Sequence, residues 1–173
     1  MISGEGLAIM RARGLSVLIT PRLAIRRFGD DDAAFIVALL NDPDWLRFIG
    51  AKQVQMIAKT LGGKGEVAIL SAASTMTNQN SWIEAMKEEW KKPEYKDMPL
   101  VATVYGDDQD DKSYREMQGL VKAYPNLKGV ISPTTIGIRS GAKAIIDGGL
   151  VGKVFITGLG LPSEMKDAVL KGA

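Results

Sequence analysis

The sequence predicts an α/β fold with a mostly parallel sheet covered by helices on both faces. Two observations predict it. Short apolar runs at 67–70, 100–104, 129–131 and 154–157 alternate with amphipathic stretches of helical spacing. Turn residues separate the two kinds of segment, as Pro93, Pro125 and Gly148-Gly149 do. Strands joined through helices of this length imply right-handed crossovers within one sheet.

The elements follow in order. Val54, Ile57, Ala58 and Leu61 form the apolar face of a helix closed by Gly62-Gly63-Lys64-Gly65. Val67-Ala68-Ile69-Leu70 is the first buried strand of the repeating part. Ser81 and Glu84 have capping-box spacing, so a helix is expected to open at Ser81 with Trp82, Ile83, Met86 and Trp90 inside. After the strand Leu100 to Val104, Ser113 and Glu116 repeat that spacing ahead of Met117, Leu120, Val121 and Tyr124. Gly129-Val130-Ile131 is the third strand, and Ile138, Ala142, Ile145 and Ile146 mark the helix after it. Val154 to Thr157 is the fourth strand, and Pro162-Ser163 starts the last helix.

Composition narrows the chemistry. At 173 residues, 46% hydrophobic and 24% charged, the chain resembles an ordinary globular domain able to bury a core. There is no cysteine and no histidine, which excludes thiol nucleophiles, disulfides, thiolate metal sites and every imidazole-based triad or zinc site. A net charge of +2 with scattered basic residues gives no stripe for nucleic acid. No apolar run approaches the roughly 20 residues that cross a bilayer. The opening stretch has Arg11, Arg13 and Arg22 and a short apolar run from Leu15 to Ile19, too short for a secretory signal, so the chain as written is expected to stay in the cytoplasm.

Cation usage suggests a seam near residue 50. Residues 1–50 hold six arginines and no lysine, whereas the remainder holds fourteen lysines with only Arg115 and Arg139. Two segments are therefore expected, 1–50 and 51–173. Chance in a short window is the plain alternative. In the first, Leu23, Ile25 and Phe28 indicate a strand, and Asp30 to Asp32 precede a helix with Phe35, Ile36, Leu39 and Leu40 on one side, ended by Asn41-Asp42-Pro43.

In parallel sheets ligands bind beyond the carboxyl ends of the strands. The loops Ser71 to Asn80, Tyr105 to Lys112, Ser132 to Ile136 and Gly158 to Leu161 are the candidates. The first carries Thr75, Thr77, Asn78, Gln79 and Asn80, neutral donors and acceptors suited to a polyhydroxylated ligand, or else to capping the next helix. Gly158-Leu159-Gly160 lacks the third glycine of a dinucleotide loop and is read as a turn. Asp107 to Asp111 lacks the glycine and terminal glutamate of a calcium loop and is read as a solvated surface loop. Trp82 and Trp90 are read as core rather than as sugar-stacking rings.

Two resemblances add to this reading. TPRLAIRRFGDDDAAFIVALLNDPDWLRFIG resembles the opening of a GNAT-family N-acetyltransferase, but no Arg/Gln-x-x-Gly-x-Gly/Ala pyrophosphate loop follows anywhere downstream. VAILSAASTMTNQNSWIEAM, LVATVYGDDQDDKSYREMQGLVKAYPNLKGVISPTT and GLVGKVFITGLGLPSEMK resemble the rhamnose-binding and autoinducer-2-binding branch of ABC-transporter sugar-binding proteins, over about residues 52–173.

That second resemblance implies a three-layer lobe of a type I periplasmic binding protein, preceded by a short strand-helix appendage. It implies a monosaccharide ligand such as rhamnose, an ABC permease as partner, a periplasmic location, no cofactor and no catalysis. Asn78 and Gln79 are implied as contacts to sugar hydroxyls, with Pro133 and Thr135 as a second contact. Where this chain has Asn78 the family commonly has Asp. The partner lobe expected before Ala51 is replaced by the acetyltransferase-like segment, so a partial or chimeric lobe with weak or no binding is expected. The alternatives are an N-acetyltransferase and an inert folded fragment. Asn78 and Gln79 are expected on an exposed loop, so that their removal should leave the melting temperature nearly unchanged.

Overall fold

The computed structural model describes residues 29–173 in full, together with the backbone of two earlier strands. By its internal contacts the chain divides into two units, Met1–Asp42 and Pro43–Ala173.

In the first unit β1 (Ser16–Ile19) pairs antiparallel with β2 (Ala24–Arg26), with Ile19 opposite Ala24. Of the strand predicted there, Leu23 and Phe28 lie outside the described residues, as do the leading arginines 11, 13 and 22. A 3-10 turn, Asp30–Asp32, leads into α1 (Ala33–Leu40). The Gly29 amide donates to Asp32 Oδ2 at 2.8 Å. Of the expected inner face, Ile36 and Leu39 are half-buried, whereas Phe35 and Leu40 are exposed.

The second unit starts with α2 (Pro43–Leu61), which has proline at its first position. The seam read at residue 50 thus falls in the middle of α2, and the division of contacts comes earlier, between Asp42 and Pro43. Arginine or lysine usage is a composition signal and carries no information on where a helix runs. The helix ends at Leu61, where the Gly63 amide donates to the Ala58 carbonyl at 2.9 Å, so the glycine cluster does close it.

Then β3 (Glu66–Ser71), α3 (Thr77–Trp90), β4 (Leu100–Tyr105), α4 (Asp110–Ala123), β5 (Leu127–Ser132), α5 (Thr135–Asp147), β6 (Phe155–Gly158) and α6 (Pro162–Leu170) alternate. The four strands form one parallel sheet in the order β4-β3-β5-β6. Strand alternation sends side chains to opposite faces. Ala68, Leu70, Val130 and Ile156 pack with Met117, Leu120, Ile138, Ala142 and Ile145 of α4 and α5. Val67, Ile69 and Ile131 pack on the other face with Val54 and Ile57 of α2 and Ile83 and Met86 of α3. The expected three-layer parallel α/β lobe is what forms.

Both capping-box readings are overturned. α3 opens at Thr77, four residues before Ser81, whose Oγ donates to the Thr77 carbonyl at 3.0 Å inside the helix. α4 opens at Asp110, which leaves Ser113 fully buried in its first turns. The acidic pair Asp110-Asp111 suits the positive end of a helix dipole and starts α4 sooner than the Ser-Glu spacing does. Trp82 and Trp90 belong to the core as read, and Trp90 Nε1 donates to the Met98 carbonyl at 2.6 Å.

The inner face of α3 holds a buried carboxylate that periodicity did not show. Glu89 accepts from Gln55 Nε2 at 3.1 Å and from the Tyr95 hydroxyl at 3.0 Å, and pairs with Lys92 at 2.6 Å. Burial pushes the Glu89 carboxyl up, but the bonds from Lys92, Gln55 and Tyr95 outweigh it and hold the group below the ordinary glutamate range. A depressed carboxylate contributes stability above its unfolded pKa of about 4.3 and loses it as pH falls through the folded value. Unfolding curves recorded between about pH 3 and pH 7 should therefore fall less steeply on acidification for Glu89→Gln than for the parent. Parallel acid limbs would remove this account of Glu89.

Candidate functional site: the carboxyl ends of the parallel strands

The chain leaves β3 toward β4 on one side and then returns past β3 to β5 on the other. Such a reversal opens a crevice at the carboxyl ends of the two inner strands, here β3 and β5. All four residues assigned to ligand contact follow those two strand ends.

Gln79 is the best fixed of them. It is 8% exposed, and its Oε1 accepts from the Ser71 hydroxyl at 2.7 Å and from the Ala72 amide at 3.0 Å. Because a backbone N–H can only donate, the atom facing Ala72 must be the carbonyl oxygen, which sets the orientation of the side-chain amide. Gln79 is therefore not on an exposed loop, and the expectation that its removal leaves stability unchanged is corrected. Its neighbour Asn78, at the second position of α3, is exposed. Asn80 completes the turn, its Nδ2 donating to the Ser74 carbonyl at 2.7 Å.

On the other side of the crevice β5 ends in Ser132, whose hydroxyl donates to the Leu70 carbonyl of β3 at 2.7 Å. Pro133 follows and is buried, then Thr134 in an extended conformation as N-cap of α5, then half-buried Thr135 as its first residue. No side-chain bond caps α3 or α5 at its start. First-turn amides of both helices therefore lack that partner at the same end of the sheet.

The loop after β4 lies here too. The Gly106 amide donates to the Ser71 carbonyl at 2.9 Å, and the Asp107 amide to the Ala72 carbonyl at 2.8 Å. Asp107 to Asp111 is a solvated surface loop as read, with Asp107, Asp110 and Asp111 exposed, but three of its acids also have partners. Asp107 pairs with Lys112, Asp108 accepts from the Thr134 hydroxyl, and Asp110 binds Arg139 at 2.8 Å and the Ser140 hydroxyl at 2.7 Å. The hydrogen bonds from Ser140 and Arg139 hold the Asp110 carboxyl below the usual aspartate range. In the sequence Asp108 and Asp110 carried no partner signal, because Thr134 and Arg139 lie 26 and 29 residues away from them.

Two surface grooves border this region. One of about 800 Å³ is lined by Thr77 and Asn80 together with Leu46, Arg47, Glu84 and Lys92 among others, and one of about 400 Å³ lies between α4 and α5, lined by Asp110, Tyr114, Arg139 and Ser140 among others. Neither is lined by Asn78, Gln79, Pro133 or Thr135. Among the described residues no group of three or more acidic side chains is placed to hold a metal ion, and no helix is long and apolar enough to cross a membrane.

Residues 47–173 match the family described as the periplasmic binding protein domain. The chain belongs to that family. The match takes in the second unit from Arg47 onward and overlaps only the last four residues of the segment 20–50 that resembles an acetyltransferase. A sugar ABC transporter protein from Actinomyces odontolyticus is 44% identical and superposes with a TM-score of 0.71, over 73% of this chain and 41% of that one. An ABC transporter solute-binding protein from Clostridium phytofermentas, with bound L-rhamnose, is also 44% identical, at a TM-score of 0.69 over 70% of this chain and 38% of that one. A solute-binding protein from Burkholderia graminis in complex with D-arabinose is 26% identical, at a TM-score of 0.66, covering 73% and 44%. This periplasmic binding protein chain thus spans about two fifths of each of these solved proteins. The pre-mRNA-splicing factor cef1 of Aspergillus fumigatus is 21% identical over 84 residues, 49% of this chain and 11% of that protein.

Proposed function

We propose that the Pro43–Ala173 unit supplies one wall of a monosaccharide site in the solute-binding component of an ABC sugar transporter. The ligand is a deoxyhexose of the rhamnose type, handed in the periplasm to a membrane permease, with no catalytic step. The observation that carries this reading is the convergence of neutral polar groups at the ends of β3 and β5, in a chain 44% identical to a rhamnose-bound protein.

Each residue has a distinct part. The Gln79 carbonyl is committed to Ser71 and Ala72, so its Nε2 group is what meets a sugar oxygen. Asn78, exposed beside it, offers both a donor and an acceptor. Pro133 presents an apolar ring and a carbonyl to the ligand, and Thr135 a hydroxyl. With no ionisable group among these four, affinity should vary little around neutral pH.

One wall satisfies only part of a sugar's hydroxyls. Each net hydrogen bond contributes about 0.5–1.5 kcal/mol, so losing partners worth about 4 kcal/mol takes a micromolar site to roughly millimolar. Titrating the 173-residue chain with L-rhamnose should therefore give saturable amide shifts at Ser71 to Asn80 and Ser132 to Thr135, with a dissociation constant on the order of 1 mM. Shifts confined to other surfaces, or none with any monosaccharide, would show an inert fold in place of a sugar wall.

A further inference from the structure

We propose that Asp108 is a positioning residue for the loop at the end of β5, the loop assigned above to the sugar; the inference rests on that assignment for its effect on binding. The loop after β4 begins on the outermost strand and must cross the end of β3 to reach β5. Strands two places apart are about 9–10 Å from each other, beyond the reach of an aspartate side chain on a straight continuation of β4.

The crossing is made by the backbone. Asp107 has φ 53° and Asp108 φ 50°, two successive non-glycine residues in the left-handed region. This conformation is disfavoured for residues with a Cβ, and it persists where the surroundings over-determine it. Amides of Gly106 and Asp107 dock on the Ser71 and Ala72 carbonyls, and the turn then delivers the Asp108 carboxylate to Thr134.

Thr134 is the N-cap of α5, and a threonine there would ordinarily accept a hydrogen bond from a first-turn amide. Here its hydroxyl donates to Asp108, and no side-chain cap bond forms. Asp108 thereby sets the orientation of Thr134, between Pro133 and Thr135, and leaves the first-turn amides of α5 to another acceptor. The same loop holds α5 one turn further on, through Asp110 to Arg139 and Ser140. Asp107 differs in kind, because its pair with Lys112 stays within the start of α4 and serves local stability.

Two variants separate the bond from the backbone turn. Asp108→Gly keeps the left-handed conformation and removes the acceptor, while Asp108→Asn keeps an acceptor oxygen and also tolerates that conformation. Two quantities are read on the 173-residue chain. In sugar-free protein, hydrogen exchange of the Ile138 amide should quicken about tenfold in the glycine variant and return to within about twofold of the parent in the asparagine variant. The Ile138 amide is a direct reporter, since it donates to the Thr134 carbonyl at 3.0 Å. In titrations, the L-rhamnose dissociation constant should rise about tenfold for Asp108→Gly and recover for Asp108→Asn.

Unchanged exchange in Asp108→Gly overturns the proposal, as does parental affinity in that variant despite faster exchange. Failure of Asp108→Asn to restore either quantity overturns it as well, since the carboxylate's charge and not its bond to Thr134 would then act. A parent chain that responds to no sugar, with exchange still following the glycine and asparagine pattern, supports the positioning and removes the sugar assignment instead.

Discussion

Gly158→Ala is expected to destabilise the protein by about 3 kcal/mol or more, lowering the thermal midpoint by roughly 6–12 °C. Gly158 ends β6 with φ +154°, a backbone conformation that residues with a Cβ rarely adopt. A Cβ there would sit 1.8 Å from the Ser132 carbonyl oxygen and 2.6 Å from its carbon. Those are backbone atoms and cannot rotate aside. The Ser132 carbonyl is held by the Leu159 amide at 3.1 Å, and Ser132 is itself tied through its hydroxyl to Leu70. Relief therefore requires the ends of β5 and β6 to part where Ser132 pairs with Gly158. Gly149→Ala is the control, because Gly149 has φ +64° with no atom within 4 Å of the added carbon. That change carries the conformational cost alone, about 1–2 kcal/mol. Urea and thermal unfolding of the two variants should differ clearly. Equal losses would mean that the close approach to Ser132 does not exist. Because Pro133 follows Ser132 directly, rhamnose-induced shifts at 132–135 should fade in Gly158→Ala while the alternation of strands and helices is retained.

The repeating architecture was legible because a strand buried on both faces has to be apolar at consecutive positions. Val67 to Leu70 and Val130-Ile131 are such runs, and the helices between them carry apolar residues at intervals of three and four. Helix beginnings were not legible in the same way. The Ser-Glu spacing at Ser81 and Ser113 is a local signal, whereas α3 starts where Gln79 can be anchored to the end of β3, and α4 where Asp110 meets Arg139 and Ser140. Both anchors depend on residues brought close only by the fold. One signal for Gln79 was present: it stands four residues before Ile83 and seven before Met86, on the stripe that the core receives. Extending that stripe backwards places a polar side chain inside and moves the helix start to Thr77. The acidic run Asp107 to Asp111 held no comparable signal, since like charges in sequence ordinarily spread into solvent.

Gln79→Ala is expected to cost about 3 kcal/mol, a fall of roughly 6–12 °C in the thermal midpoint. The side chain's oxygen is the acceptor for two groups that are themselves fully buried, the Ser71 hydroxyl and the Ala72 amide. Removing it leaves each unsatisfied at about 1–3 kcal/mol, partly relieved because the hydroxyl can turn and water can follow the vacated space. Asn78→Ala, one residue away, removes an exposed side chain and should stay within about 0.5 kcal/mol of the parent. The contrast tests which of the two neighbours is structural, and equal melting temperatures for them would contradict the buried bonds of Gln79. Gln79→Glu then divides structure from ligand contact. A carboxylate oxygen accepts from Ser71 and Ala72 as the amide oxygen does, so stability should lie nearer to the parent than to the alanine variant. It has no N–H group to donate, so if Nε2 is the atom that meets the sugar, the L-rhamnose dissociation constant should rise about tenfold in this folded variant. Parental affinity in Gln79→Glu would assign Gln79 to holding the end of β3 alone and leave the contact on that side to Asn78.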